Sequence, residues 1–457
     1  MPARQSELPN HAHRDDSPDR SRNGQRMKIL LAWELGSNWG HLATLLPLAT
    51  RLRADGHRVL FAVRGLDGDL SPLRRCGFDY VPTPIAIAPL QTLHAAPVHG
   101  FADVLARCGF SNAQTLVQLI QAWGGLLHLF QPDAVVCKYA PLAEFATRNC
   151  PVLAIGTGFE LPALQPSLSY FHEIKDQQAA AAHRQEEQIL HAMQAAAHAG
   201  GFEKPGTPGQ AFSHSSRLCL SWPALDHFGD RAGMDYAGPA ESLPCELSLD
   251  DAIPPHLHGS ELPATLAYLR KEPAWWKEFT KEAVHKYPRR QWLLIAPNLT
   301  LRQCGELCSP TITVVNTSVD WASPKSHIGK RFDSIICHGG HGIVSQGLAK
   351  GLRLLITPQH MEQLLLARRI MAALPDRRGI ATMNTQIHPG TLMQELERLL
   401  KEPAPQAPAI FQKINPQQSI ETIVSRIETI VEKARVSIDE NCGIEHQAPN
   451  EDQFPSS

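Results

Sequence analysis

The sequence predicts an α/β protein built from two doubly wound parallel-sheet domains, on three observations. Short apolar runs of strand length alternate with stretches of helical periodicity, glycine turns join strand to helix, and this strand–glycine–helix opening occurs twice, at Met27 and at Asp333. The length of 457 residues exceeds one typical core and suits two domains of about 150–200 residues each with tails. The expected divisions are a disordered tail over 1–26, an N-terminal domain over 27–235, a linker over 236–262, a C-terminal domain over 263–410, a closing helix over 411–436 and a second disordered tail over 437–457.

Taken in order, residues 1–26 are polar, rich in Arg, Asp, Ser and Pro, and hold no apolar segment of signal-peptide type. Met27 then begins a buried-strand pattern, followed by a glycine-containing turn through Trp39 and Gly40. Leu42, Leu45, Leu46, Ala49 and Leu52 repeat at helical spacing, Gly56 ends that helix, and His57 to Val63 reads as the next strand. Ala134 to Cys137 is a strand, Ala140 to Arg148 a helix, and Val152 to Ile155 a strand ending in Gly156-Thr157-Gly158. The Ala/Gln/His-rich stretch Phe171 to Ala199 is expected as a solvated helix, with the lining of an acceptor pocket as the alternative, and Arg217 to Ser221 as a strand. Further strands are expected at Ala264 to Leu269, Trp292 to Ala296, Ile312 to Val315, Ser334 to Cys337 and Leu352 to Thr357. Near the end, Ile420, Ile423, Val424, Ile427, Ile430 and Val431 form an apolar stripe behind a helix start at Pro416.

Composition narrows the chemistry. A formal net charge of −2 gives neither nucleic acid nor an anionic membrane surface the field it would need, which favours small-molecule chemistry. The ten cysteines are scattered, and Cys304 and Cys308 lack a second pair at zinc-site spacing, so reduced structural thiols are expected. No apolar run reaches the ~18 residues of a membrane span. These features read as a cytoplasmic protein, with peripheral membrane contact left open.

The stretch Asp333 to Gln363 carries the clearest site signal. The strand Ser334 to Cys337 runs into His338-Gly339-Gly340-His341-Gly342, and a helix follows with Ile343, Val344, Gly347 and Leu348 on one face. A glycine turn feeding a helix N-terminus gathers orphan N–H groups and the positive end of the helix dipole, which suits a diphosphate. His338, at the strand end, can add a donor. His338, His341, His360 and Cys337 are not expected to hold a metal, since a glycine turn is a poor frame for tetrahedral ligands.

Together the two glycine turns carry a resemblance. The segment from Gly40-His41 through Leu52 to Gly56-His57 is similar to the N-terminal signature of GT-B glycosyltransferases of the UDP-sugar-dependent family 1, and His338 to Gln363 resembles that family's donor-binding motif. The resemblance covers roughly Met27 to Arg435. It implies two Rossmann-like domains facing each other across a cleft, with the acceptor on the N-terminal side, a nucleotide sugar on the C-terminal side, and the last helix returning to the N-terminal domain. It implies inverting transfer of a hexose, without metal or other cofactor, from a nucleotide-diphosphate sugar such as a UDP-sugar to a hydroxyl of a small-molecule or lipid acceptor. His41 would be the base. His338, Gly339, Gly340, Gly342, Gln346, Glu362 and Gln363 would contact the donor; Arg270, in the stretch that stands where the family usually has Gly-Ser, is a further donor candidate whose charge offsets the diphosphate, and Trp39, Lys138 and Tyr139 are acceptor-side candidates.

The sequence departs from the family pattern at several positions. Lys138 stands where family members often carry the Asp that partners the catalytic His, which leaves Glu34 as another acid, or an acceptor contact as the role of Lys138. Gln346 replaces a Glu often found at the ribose, and Ile343 replaces Ser or Thr. Two other functions are compatible with the residues: a nucleotide-sugar epimerase or hydrolase on the same fold, and a non-catalytic nucleotide-sugar-binding protein.

Overall fold

The structure is a computed structural model. It describes residues 25–444 apart from 37–39, 67–69, 87–97, 165–167, 172–175, 243–246, 249–261, 270–274, 298, 317–318, 321–330, 375–378, 383–387, 406–408, 410 and 412–413. Residues 1–24 and 445–457, most of the expected linker, and the candidate residues Trp39 and Arg270 therefore lie outside the described residues, whereas 437–444, expected in the disordered tail, continue the last helix.

In chain order the strands are β1 (Lys28–Trp33), β2 (Arg58–Val63), β3 (Asp79–Pro82), β4 (Ala134–Lys138), β5 (Val152–Gly156), β6 (Ser216–Cys219), β7 (Asp235–Tyr236), β8 (Leu247–Ser248), β9 (Ala264–Tyr268), β10 (Gln291–Ile295), β11 (Ile312–Val315), β12 (Val319–Asp320), β13 (Ser334–Cys337), β14 (Arg353–Ile356) and β15 (Ile380–Thr382). Among the described residues they form a seven-stranded sheet in the order β3-β2-β1-β4-β5-β6-β7, a six-stranded sheet in the order β11-β10-β9-β13-β14-β15, and the small pair β12-β8. Every pairing is parallel. Strands such as β4 and β13 are mostly apolar and are buried along their whole length, as parallel strands covered on both faces must be. These are the two Rossmann-like domains that the alternating pattern predicts.

In each sheet the strand order reverses at one place, between β1 and β4 in the first and between β9 and β13 in the second. Connections leave in opposite directions there, so a crevice opens beyond the carboxyl ends of those strands, where ligands of open α/β sheets bind. The register brings Trp33 beside Lys138 in the first sheet and Cys337 beside Tyr268 in the second. Candidate residues from sequence-distant segments meet at these two ends.

Two elements differ from expectation in ways that hydrophobic burial explains. The helix Asp176–Gly200 is not simply solvated, because Ile189, Ala192, Met193 and Ala196 recur at helical spacing and are buried against the helix Ala113–Phe130 and its neighbours. The last helix spans Pro416–Ile444, longer than its apolar stripe. Its Ile420, Ile423, Val424, Ile427 and Val431 lie in the core built on β1, β2 and the helix Gly40–Ala54. Each such side chain contributes on the order of 1.5–3 kcal/mol on burial. Ser419 Oγ donates to the carbonyls of Ala237 at 2.7 Å and Pro239 at 3.0 Å, and Arg51 Nε meets Glu421 at 2.8 Å, which fixes the start of that helix. Among the described cysteines seven are free thiols, whereas Cys76 is disulfide-bonded, in contrast to the all-thiol expectation. No helix among the described residues is long and apolar enough to cross a membrane.

Candidate active site

At the end of β1 the chain turns through Gly36 into the helix Gly40–Ala54, with His41 in its first turn. Gly36 has φ +76°, and a Cβ there would lie 2.1 Å from His41 Nε2, so only glycine lets the imidazole lie against this turn. The ring stacks on Trp33 at 5.3 Å and on Tyr139 at 6.1 Å. Tyr139 follows β4 with φ 52°, a left-handed conformation unusual for a non-glycine residue, and its carbonyl accepts from Leu35 N–H at 3.0 Å. The β1 and β4 ends are thereby tied together.

The acid that pairs with His41 is Glu160, a residue the sequence did not single out. Glu160 Oε1 lies 3.1 Å from His41 Nδ1, close in distance although the N–H is not well aligned with it. Its other oxygen is in ion-pair contact with Lys138 Nζ and accepts the Thr157 N–H at 2.6 Å. Gly156 makes this possible, since a Cβ there would lie 2.5 Å from Glu160 Oε2. Glu160 and Lys138 are almost fully buried, at 7% and 5% side-chain exposure. Burial alone would raise the Glu160 carboxyl, but the Lys138 charge and then the contacts with His41 outweigh it and hold the group well below the usual carboxylate range. Lys138 thus does not face the cleft as a lone cation. Glu34 is not the partner either: its oxygens accept the N–H groups of Leu142 and Ala143 at 2.8 Å each, capping the helix Pro141–Ala146. Burial nonetheless pushes Glu34 up to about 8.

Across the cleft, β13 ends at Cys337 and the helix His341–Ala349 begins after Gly340. Gly339, at φ +90°, packs so closely that a Cβ would lie 2.7 Å from Ile356 Cγ2. His338 is buried, with Nδ1 at 3.3 Å from the Thr357 carbonyl oxygen and 3.2 Å from its hydroxyl. The hydroxyl donates to the Cys337 carbonyl, which makes Nδ1–H the donor toward Thr357. Gln346 is buried on the same helix. Gln363 Oε1 accepts the Gln359 N–H at 2.8 Å, closing the turn before the helix Met361–Ala373. Glu362, half-buried in the first turn, forms no hydrogen bond or ion pair with the described residues. Burial first, and then the charge of Glu160, push it up to about 7.

The head of the helix His341–Ala349 also receives a carboxylate from the chain itself. His341 Nδ1 lies 3.1 Å from Glu241 Oε1 and Nε2 lies 2.9 Å from Ser221 Oγ, while a Cβ on Gly342 would lie 3.5 Å from the Glu241 side chain. Burial tends to raise Glu241, but the neighbouring His341 more than offsets this and lowers it. A carboxylate at a helix N-terminus marks where that helix prefers negative charge. His41, Lys138, Tyr139 and Glu160 therefore gather on one side of the cleft, and His338, Gly339, Gly340, Gly342, Glu362 and Gln363 on the other.

No protein-family model matches the sequence, and no curated protein matches it. Solved structures do. The glycosyltransferase VinC, in complex with dTDP, is 16% identical with a TM-score of 0.60, the match covering 89% of this chain and 100% of that one. The calicheamicin glycosyltransferase CalG4 is 16% identical with a TM-score of 0.57, covering 93% of this chain and 100% of its own. The glycotransferase of kitacinnamycin is 17% identical with a TM-score of 0.55, covering 91% and 99% respectively. At these identities the likeness is one of fold, and it extends over nearly the whole of each chain. Two Rossmann-like parallel-sheet domains meeting at their switch points, in the arrangement of these structures, make this a chain of the GT-B fold.

Proposed function

We propose that the protein is an inverting, metal-independent glycosyltransferase that moves a hexose from a nucleotide-diphosphate sugar to a hydroxyl of a small-molecule or lipid acceptor. The observation that carries this reading is the pairing of His41 with Glu160 at one switch point, opposite the head of the helix His341–Ala349 at the other. His41 Nε2 takes the acceptor proton as the oxygen attacks the anomeric carbon. Glu160 stabilises the imidazolium that results, and Lys138 keeps Glu160 ionised. The diphosphate leaves toward the orphan N–H groups of the helix, close to where the Glu241 carboxylate meets the His341 side chain. The donor is a UDP-sugar on the family resemblance, and a dTDP-sugar is the natural comparison, since VinC binds dTDP. We place the reaction in the cytoplasm, with the acceptor reaching the cleft from solution or from a membrane surface. A binding protein without catalysis has its best support in Lys138 standing in place of an acid, and the Glu160 carboxylate 3.1 Å from His41 supports the catalytic reading instead.

The test uses His41→Ala. Acceptor glycosylation should fall by about 10²- to 10⁴-fold, the usual contribution of a general base, with nucleotide-sugar affinity nearly unchanged. Wild-type turnover in this variant would remove His41 from the mechanism. Sugar-nucleotide turnover that needs no acceptor would instead favour a hydrolase or epimerase. His338→Ala should weaken nucleotide-sugar binding by about 1–3 kcal/mol in calorimetry, the cost of a lost hydrogen bond to a charged group.

A further inference from the structure

The turn between β6 and β7 carries a histidine that the mechanism above does not use. Asp226, fully buried, accepts from Arg231 Nε at 3.0 Å and Nη2 at 2.6 Å, from Tyr236 Oη at 3.0 Å and from the Phe228 N–H at 3.0 Å. Arg231 Nη1 also donates to the Leu161 carbonyl at 2.6 Å. A Cβ on Gly158 would lie 2.2 Å from Asp226 Oδ1 and 2.8 Å from His227 N, so this turn is clamped against the segment that presents Glu160. His227 is thus a rigidly held residue.

The residue is only 3% exposed, yet among the described residues neither ring nitrogen has a hydrogen-bond partner. Burying two polar ring atoms without partners is costly, and native structures rarely tolerate it unless something else binds there. The ring lies 5.9 Å from that of Phe159, and the charged groups that act on it most are His341, Glu160 and Arg231. It therefore lies within electrostatic reach of both His341, at the head of the donor helix, and Glu160, on a turn clamped against the segment that presents Glu160. Burial, reinforced by the charge of His341, lowers its proton affinity to about 3 and keeps it neutral. A neutral imidazole offers one donor and one acceptor, which matches a hydroxyl, whereas a phosphate oxygen would face the lone pair of the second nitrogen.

We propose that His227 is a specificity-determining residue that hydrogen-bonds a hydroxyl of the donor's sugar from the N-terminal side of the cleft, a role that rests on the nucleotide-sugar reading above. Calorimetric titration of the full-length protein with UDP, UDP-glucose, dTDP and dTDP-glucose tests it, together with thermal unfolding. His227→Phe, which keeps the ring and removes both polar atoms, should leave diphosphate affinity within about twofold, weaken the preferred sugar nucleotide by about tenfold or more, and melt at the same or a higher temperature. His227→Gln, which retains a donor and an acceptor, should recover part of the sugar-dependent affinity and serves if the Phe variant fails to fold. Wild-type affinity for the sugar nucleotide in His227→Phe, or an equal loss for diphosphate and sugar nucleotide, would overturn the role. If the wild type binds none of the four, the donor reading itself fails, and this role with it.

Discussion

A Glu160→Gln protein is expected to lose about 10²- to 10⁴-fold in acceptor glycosylation and about 3–5 kcal/mol in stability at neutral pH. Both effects follow from one carboxylate serving two partners. Without its charge the His41 imidazolium loses its counterion, and Lys138, 5% exposed, is left as a buried ammonium facing an amide. The stability difference should also depend on pH. Because the folded state holds Glu160 well below the ordinary carboxylate value of 4.5, its contribution is present above that pH and fades as pH falls toward the folded-state value. Wild type and variant should therefore differ less in urea unfolding at pH 3 than at pH 7. Lys138→Asp, which on sequence alone either raises transfer, if His41 is an unsupported base, or abolishes acceptor binding, if Lys138 holds an acidic acceptor, should abolish transfer for a different reason, because two carboxylates would share one buried site. A Glu160→Gln protein with wild-type rate and stability would separate the carboxylate from both roles.

Asp226→Asn should cost about 3–5 kcal/mol, the penalty for leaving the Arg231 charge buried without its counterion. Asp226 is the one anion of a node that takes hydrogen bonds from Arg231, Tyr236 and the Phe228 backbone, and Arg231 is 12% exposed. The node holds the β6–β7 turn against Leu161, one residue from Glu160. Turnover should consequently fall more than diphosphate affinity, since the helix head at His341–Ala349 stands on the other sheet. Urea unfolding with parallel rate measurements checks this, and a stability change below about 0.5 kcal/mol would mean that the node does not act as a clamp.

Much of the fold was legible because local signals suffice for it. The paired glycine turns, the apolar runs within β1, β4 and β13, and the stripe of the last helix all follow from period and turn chemistry. Three-residue β15 and the Asp79–Pro82 strand were not legible, being too short or too polar to stand out from loops. The helix Asp176–Gly200 reads as solvated because its buried face has only Ile189 and Met193 as large apolar residues among alanines that read as neutral. The site divides in the same way. Gly36, Gly40 and His41 announce a turn and its helix within a few residues, whereas Glu160 reaches His41 across more than a hundred residues of chain. Its signal was Gly156-Thr157-Gly158 at a strand end with an acid two residues on, and only the parallel order β1-β4-β5 gives that acid its partner. For the same reason Lys138 looked like a substitute for an acid when it is the counterion of one.

The apolar stripe of Pro416–Ile444 completes a core whose other members all precede Cys245 in the chain. On the ribosome this means that the first domain to emerge is the last to be finished. At roughly 5–20 residues per second, the some 200 residues between β6 and that helix take on the order of 10–40 s to make. For that interval the surface beside β1 and the helix Gly40–Ala54 presents bare leucine side chains, an exposure that a nascent-chain chaperone would be suited to cover. A stop codon shortly before Pro416 would leave both sheets encoded in full, yet its product should be aggregation-prone.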